Sequence, residues 1–323
     1  MEKVKAIDVH THPLDQSLGG KGHEWYMMGI RAYVSHKEMT EEEVYRSFPT
    51  DEEYIQSYRE AGVKGIPISP CWAWRELGVT PWPAIGKVSG SGVVDDETAK
   101  ELMRKANDYL ADMVKNNSDV FPTGWAAVNP YRGKIALEET ERCIKGLGLL
   151  GLKFQQAAQQ LYPNDKRFYP LWDLCQDLGC PVMFHMGYTG IGSMTPGGGG
   201  VLPMTYTHPL YVDEVARDFP YLTIIGAHPA APYEDECIFM WLHKPNFYRE
   251  CSGWLPKYFP PQFVREINTR CQDKIMFGTE GIGAGYPTPR ECVRIHMEEM
   301  GYREGVVEKL LYENAERILG VKA

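Results

Sequence analysis

The sequence predicts an α/β fold closed into a distorted TIM (β/α)8 barrel, one domain over residues 1–323, with long loops after strands 1, 2 and 5. Three observations carry that expectation. Eight short apolar runs alternate with longer amphipathic stretches from one end of the chain to the other. Several of the runs are apolar on both faces, as parallel strands covered by helices must be. No GxGxxG follows an early strand, which disfavours the open, doubly wound alternative.

The runs come in order. KAIDVHT (5–11) opens the chain with apolar alternation and ends in histidine; VKGIPIS (63–69) and PTGWAAVN (122–129) follow. LLGLKFQ (149–155), PVMFHM (181–186), LTIIGAH (222–228), NFYRECSG (246–253) and KIMFGTE (274–280) complete the set. Between them, DETAKELMRKANDYLADMVKNN, KIALEETERCIKGL, RFYPLWDLCQDLG, YVDEVARDF and PQFVREINTRC have helical periodicity, and GVVEKLLYENAERILG reads as a closing helix. Three connections are longer than simple joins, residues 13–61, 70–97 and 187–208. All three leave the C-terminal ends of strands, the barrel face where active sites lie.

Composition narrows the function. A net charge of -9 and the lack of a Lys/Arg-rich run argue against nucleic acid or an anionic membrane as partner. The start MEKVKAIDVH lacks the apolar run of a signal peptide, and no segment approaches 18 uninterrupted apolar residues, so a cytoplasmic location is expected. The eight cysteines are scattered without a CxxC pair and read as reduced core thiols.

The chemistry concentrates at strand ends. His10 and His12 close the first strand, His185 the fifth, His228 the sixth, and Glu280 the eighth. A lone histidine at a strand end is usually a hydrogen-bonded rim residue, but in a barrel these five converge on one rim. Imidazole nitrogens with a carboxylate oxygen are the donors that zinc, manganese or iron takes at an open catalytic site. The expectation is therefore one divalent metal, zinc first and manganese as the alternative, held by His10, His12, His185 and Glu280. A structural zinc site would instead be closed and often cysteine-rich.

Other residues are read more plainly. Asp8 is expected on the same strand face as His10, orienting a ligand or serving as a buried acid. Lys153 is read as a substrate contact or a plain barrel residue ahead of a metal-bridging carbamate. Trp72, Trp74 and Trp82 are expected to wall the pocket or pack its loop, and Arg31, Arg75, Tyr188 and Thr189 are possible contacts for a carboxylate or phenolate. His23, His36 and His208 fall in loops, whereas His243 and His296 fall in helical stretches and are expected at the surface.

IDVHTHP, PVMFHMG, LTIIGAHPAAPYEDE, KIMFGTEGIG and YENAERILG together resemble the amidohydrolase superfamily, specifically the amidohydrolase-related branch typified by aminocarboxymuconate-semialdehyde decarboxylase. The resemblance spans essentially the whole chain. It implies a distorted TIM barrel with one divalent metal on His10, His12 and His185, with His228 as the catalytic histidine. Glu280 would bind the metal and move protons, and the family expectation is a homodimer or higher homo-oligomer. The branch normally carries aspartate in that eighth-strand position, so FGTE departs from it and is similar to the hydratase members.

Two reactions fit. In the first, the protein is a non-oxidative decarboxylase, a carbon–carbon lyase, for a small aromatic or unsaturated carboxylic acid, and Glu280 or His228 protonates the carbon that loses carbon dioxide. In the alternative, a hydrolase or hydratase uses metal-bound water with Glu280 as base and His228 stabilising the developing oxyanion. The first leads on branch frequency, an argument by analogy.

Overall fold

The structure is a computed structural model and describes residues 5–13, 49–70, 95–190, 203–281 and 287–323. Most of the three long connections therefore lies outside the described residues, as do His23, Arg31, His36, Cys71, Trp72, Trp74, Arg75 and Trp82.

Among the described residues eight parallel strands form, each inside its predicted run: β1 Ile7–Thr11, β2 Lys64–Pro67, β3 Trp125–Ala126, β4 Gly151–Phe154, β5 Val182–His185, β6 Ile224–Ala227, β7 Phe247–Glu250 and β8 Ile275–Met276. Regular pairing makes two ladders, β1–β2 and β3 through β8 in sequence order. Single bridges join them at both seams, Thr11 to Glu280 and Ile68 to Trp125. The Val9 N–H donates to the Phe277 carbonyl at 2.9 Å, and the Ser69 N–H to the Trp125 carbonyl at 2.8 Å. The strand order thus runs round a circuit.

Alternation along each strand separates two apolar layers. Leu152, Phe154, Phe184, Ile224, Phe247, Ile275 and Phe277 face outward and pack with the helices. Ile7, Val9, Ile66, Ile68, Trp125, Met183, Ile225 and Met276 face inward, and Ala315, Leu319 and Val321 of the C-terminal segment pack against them. Full burial of each large aliphatic or aromatic side chain contributes about 1.5–3 kcal/mol, so these two layers dominate the stability. Trp125 satisfies its buried indole by donating to the Val9 carbonyl at 2.8 Å.

Three expectations need correction. Residues Asp51–Ala61, assigned above to the loop after strand one, form a helix. Thr50 and Glu53 make a capping box, Gly62 closes the other end at φ 70°, and Tyr54 and Tyr58 at i and i+4 give the buried stripe. The helical stretches expected around His243 and His296 form as Glu234–His243 and Pro289–Glu298. His296 is buried, 2% exposed, not at the surface. It stacks on Tyr302, and burial lowers its pKa to about 3.

Asp8 is the third correction. It does not share a face with His10. Its carboxylate accepts from the Tyr58 hydroxyl at 2.6 Å and from the Thr279 N–H at 3.0 Å, on the outer, helix-facing side. The register between β1 and β2 slips between Asp8 and Thr11. That bulge breaks the period of two and turns His10 inward. Asp8 is thus a brace between β1 and the end of β8, with burial raising its carboxyl to about 6.

His243 is exposed, as expected. The seven described cysteines are free and buried. Among the described residues no helix is long and apolar enough to cross a membrane.

His296 makes the fold acid-sensitive. Its imidazole is held neutral when folded but takes a proton below about 6.5 when unfolded, so its stabilising contribution is present above that pH and is lost as pH falls toward about 3. Urea unfolding at pH 6.5 and pH 5.5 should show the parent losing about 1 kcal/mol more than His296→Leu across that unit. Equal losses would contradict it.

Candidate active site

The site stands at the C-terminal mouth of the barrel, where the inward ends of β1, β5, β6, β7 and β8 meet. The bulge in β1 delivers His10, and His12 follows. Their Nε2 atoms lie 3.1 Å apart. Glu280, whose N–H donates to the His10 carbonyl at 2.7 Å, brings a carboxylate oxygen into the same group, all three ligand atoms within 4.8 Å of one another.

His228 and Glu280 both hold left-handed backbone, φ 72° and 70°. For residues with side chains that conformation costs about 1–3 kcal/mol each and needs neighbours to impose it. At His228 the neighbours are visible. Its N–H donates to Glu250 Oε1 at 3.2 Å, and its carbonyl accepts from Arg249 Nη2 at 2.8 Å. Arg249 is fully buried, paired with Glu234, which also accepts the Ala230 N–H at 2.6 Å. The His228 Nε2 then faces Glu280 Oε1 at 3.4 Å. Gly253 (φ 79°) lines this gap; a Cβ there would come within 2.6 Å of both Glu280 Oε2 and His228 Nδ1.

Glu250, at the end of β7, is the hub beneath. The His10 Nδ1 lies 2.7 Å from its Oε1, and the Ser252 N–H donates to its Oε2 at 2.6 Å. The Ser252 hydroxyl lies 2.9 Å from Glu250 Oε1, 2.9 Å from His228 Nδ1 and 3.2 Å from His10 Nδ1.

His185 is brought near without joining that group. Its ring centroid is 4.6 Å from that of His228, and its Nε2 meets the Tyr188 carbonyl at 2.9 Å. The Gln156 amide clamps its backbone, donating to the His185 carbonyl and accepting its N–H, both at 2.9 Å. Lys153, on the inner face of β4, is buried at 2% exposure. Tyr188 is exposed, Thr189 accepts from Gln155 Nε2 at 3.0 Å, and His208 caps the helix Pro209–Asp218.

Burial sets the charges. It lowers His12 and His185 to about 3 and His10 and His228 well below their ordinary value, with the Lys153 ammonium adding to each shift. The four imidazoles are neutral at neutral pH, the form that ligates metal. Burial raises Glu250 to about 8 and Glu280 to about 7, while Lys153 opposes both.

The donor set fits a divalent metal. Two ligand atoms on one tetrahedral ion, each about 2.0–2.1 Å from it, stand roughly 3.3 Å apart. The His10 and His12 nitrogens, at 3.1 Å, are close to that spacing. The Glu250 carboxylate on the far nitrogen of His10 is the outer support that fixes a ligating imidazole. His10, His228 and Glu250 also lie within 4.8 Å of one another, but hydrogen bonds through Ser252 already join them.

A family model described as amidohydrolase matches residues 7–321. The chain belongs to the amidohydrolase family. Its relatives include a gamma-resorcylate decarboxylase of Polaromonas sp. strain JS666, 32% identical over 99 residues, 29% of this chain and 30% of that protein. The 2-amino-3-carboxymuconate-6-semialdehyde decarboxylase of Dictyostelium discoideum is 27% identical over 89 residues, 28% of this chain and 24% of that one. The chain thus matches less than a third of the length of these curated relatives.

Solved structures agree on the barrel. A TIM-barrel protein from Bordetella bronchiseptica superposes with a TM-score of 0.67 at 20% identity, covering 98% of this chain and 99% of that one. 5-Carboxyvanillate decarboxylase from Sphingomonas paucimobilis gives 0.68 at 17%, covering 98% and 99%. The dihydroxybenzoic acid decarboxylase of Polaromonas sp. JS666, with manganese and 2-nitroresorcinol bound, gives 0.65 at 19%, covering 98% and 97%.

Within this amidohydrolase, sequence reasoning passed over Glu250, Ser252, Arg249, Glu234 and Gln156. Glu250 had a signal: an acid and an arginine side by side in a strand otherwise fit for burial, with Glu250 and Ser252 of one parity. Gln156 had none, since its role depends on a neighbouring strand.

Glu250→Gln keeps the shape and removes the carboxyl partner of the His10 ring. Chelator competition should show divalent-metal affinity falling about 10- to 100-fold. Unchanged affinity would leave Glu250 no part in holding the ligand.

Proposed function

We propose that this amidohydrolase is a metal-dependent non-oxidative decarboxylase, a carbon–carbon lyase, for a small aromatic or unsaturated carboxylic acid. The observation that carries the reading is the convergence of the His10 and His12 nitrogens with Glu280, beside a His228 whose ring faces the same carboxylate. The decarboxylase names of its relatives support the reaction class. His10, His12, His185 and Glu280 would hold one divalent ion, zinc or the manganese seen in the Polaromonas structure; His185 joins by giving up the Tyr188 carbonyl. Such an ion supplies a Lewis acid for the substrate's carboxylate and an adjacent oxygen.

The chain's own groups do the rest. Without an ion, burial raises Glu280 to about 7; one-third exposed at the pocket surface, its carboxylate is placed to relay a proton toward the substrate. His228 Nε2, 3.4 Å away, exchanges that proton with it and fixes the side from which the carbon is protonated. The buried floor of Glu250 and Lys153 keeps water from the reacting face. We take residues 1–323 as one domain, acting in the cytoplasm as a homodimer or higher homo-oligomer.

A second reading has its own observation. The same 3.4 Å pair suits a glutamate acting as base toward water, as in a hydrolase or hydratase of this superfamily.

Metal-loaded protein incubated in heavy water with hydroxybenzoates and unsaturated carboxylates should release carbon dioxide and place one deuterium on the vacated carbon. His228→Asn should reduce turnover at least about 100-fold while metal content is kept. Incorporation of oxygen from labelled water without carbon dioxide would favour the second reading. Full turnover by His228→Asn would overturn the role of His228 in both.

A further inference from the structure

Ser252 touches three groups of the site, and its hydrogen can go to only one of them. The assignment starts at His10. If His10 presents a lone pair at Nε2 toward His12, its proton is on Nδ1, and that N–H must donate to Glu250 Oε1 at 2.7 Å. Glu250 Oε1 also accepts the His228 N–H, and Oε2 accepts the Ser252 N–H. Both backbone groups are obligatory donors, so with Glu250 ionised, as a cation at His10 Nε2 favours, every contact of its carboxylate asks it to accept. In the 2.9 Å contact between Ser252 Oγ and Glu250 Oε1 the hydrogen is then the serine's own. With that hydrogen committed, Ser252 Oγ offers only lone pairs, and His228 Nδ1 at 2.9 Å must be the donor.

We propose that Ser252 is a positioning residue which, anchored by Glu250, holds His228 as the Nδ1–H tautomer and leaves Nε2 as a proton acceptor facing Glu280. One carboxylate and one hydroxyl thereby set the tautomers of two imidazoles with different tasks, His10 toward the ion and His228 toward the moving proton. The buried setting makes the arrangement strict, because Glu250 is fully buried and Ser252 is 1% exposed. The Gly253 that follows leaves room for the Nδ1–Cε1 edge of the His228 ring, which a Cβ there would strike. The inference deepens the reading above, since the His10 assignment rests on a metal at its Nε2.

Nitrogen NMR of full-length, zinc-loaded protein labelled at the histidine ring nitrogens tests it directly, with the His228 signals assigned by their loss in His228→Asn. The expected spectrum has a pyrrole-type Nδ1 and a pyridine-type Nε2 for His228. Ser252→Ala should shift His228 away from that tautomer and lower kcat about tenfold, with KM and zinc content unchanged, and Ser252→Thr should restore both. A pyrrole-type Nε2 in the parent overturns the inference, as does a Ser252→Ala variant with unchanged spectrum and kcat. Protein that takes up no zinc would overturn the metal reading instead.

Discussion

The site depends on one buried carboxylate. Glu250 accepts from the His10 ring, the His228 backbone and the Ser252 backbone and lies within hydrogen-bond distance of the Ser252 hydroxyl, tying β1, β6 and β7 together at the mouth of the barrel. A buried carboxylate without such donors would be costly; with them it becomes the fixed point from which the imidazoles are aimed. Burial still pushes its pKa to about 8, so the cluster is electrostatically incomplete as a set of hydrogen bonds. A cation at His10 Nε2 relieves that cost, which couples metal binding to the charge of a group that never touches the ion.

Strain surrounds this fixed point. His228 and Glu280 face each other from left-handed backbone, and each is over-determined by its surroundings. The Arg249–Glu234 pair supports His228 from the helix side, and the bridge from Glu280 N–H to the His10 carbonyl supports the other. Removing one partner of the buried Arg249–Glu234 pair would leave a charge alone in the apolar layer, which is why it functions as a rigid brace.

Much of the barrel was legible because periodicity is local information. All eight runs became strands, and the outward and inward layers follow from their parity. His10, His12 and Glu280 converge because they end β1 and follow β8, strands that are neighbours across the seam. The misreadings arise where a local rule meets a tertiary exception. The β1 bulge inverted the face of Asp8, which a period of two could not foresee. The helical position of His296 does not say what packs over it, and Phe277 and Tyr302 bury it. Gln156 and Ser252 act through partners distant in sequence, and an acid inside a strand is visible only to a reader who asks what could satisfy it.

The central claim is that the paired imidazoles of β1 are half of a metal site, and metal content per chain tests it most directly. Protein prepared without chelator, assayed by mass spectrometry beside a folded His10→Ala/His12→Ala variant, should carry one equivalent of zinc or manganese that the variant lacks. A parent that binds neither ion after reconstitution, or a double variant that keeps its full equivalent, would contradict the account.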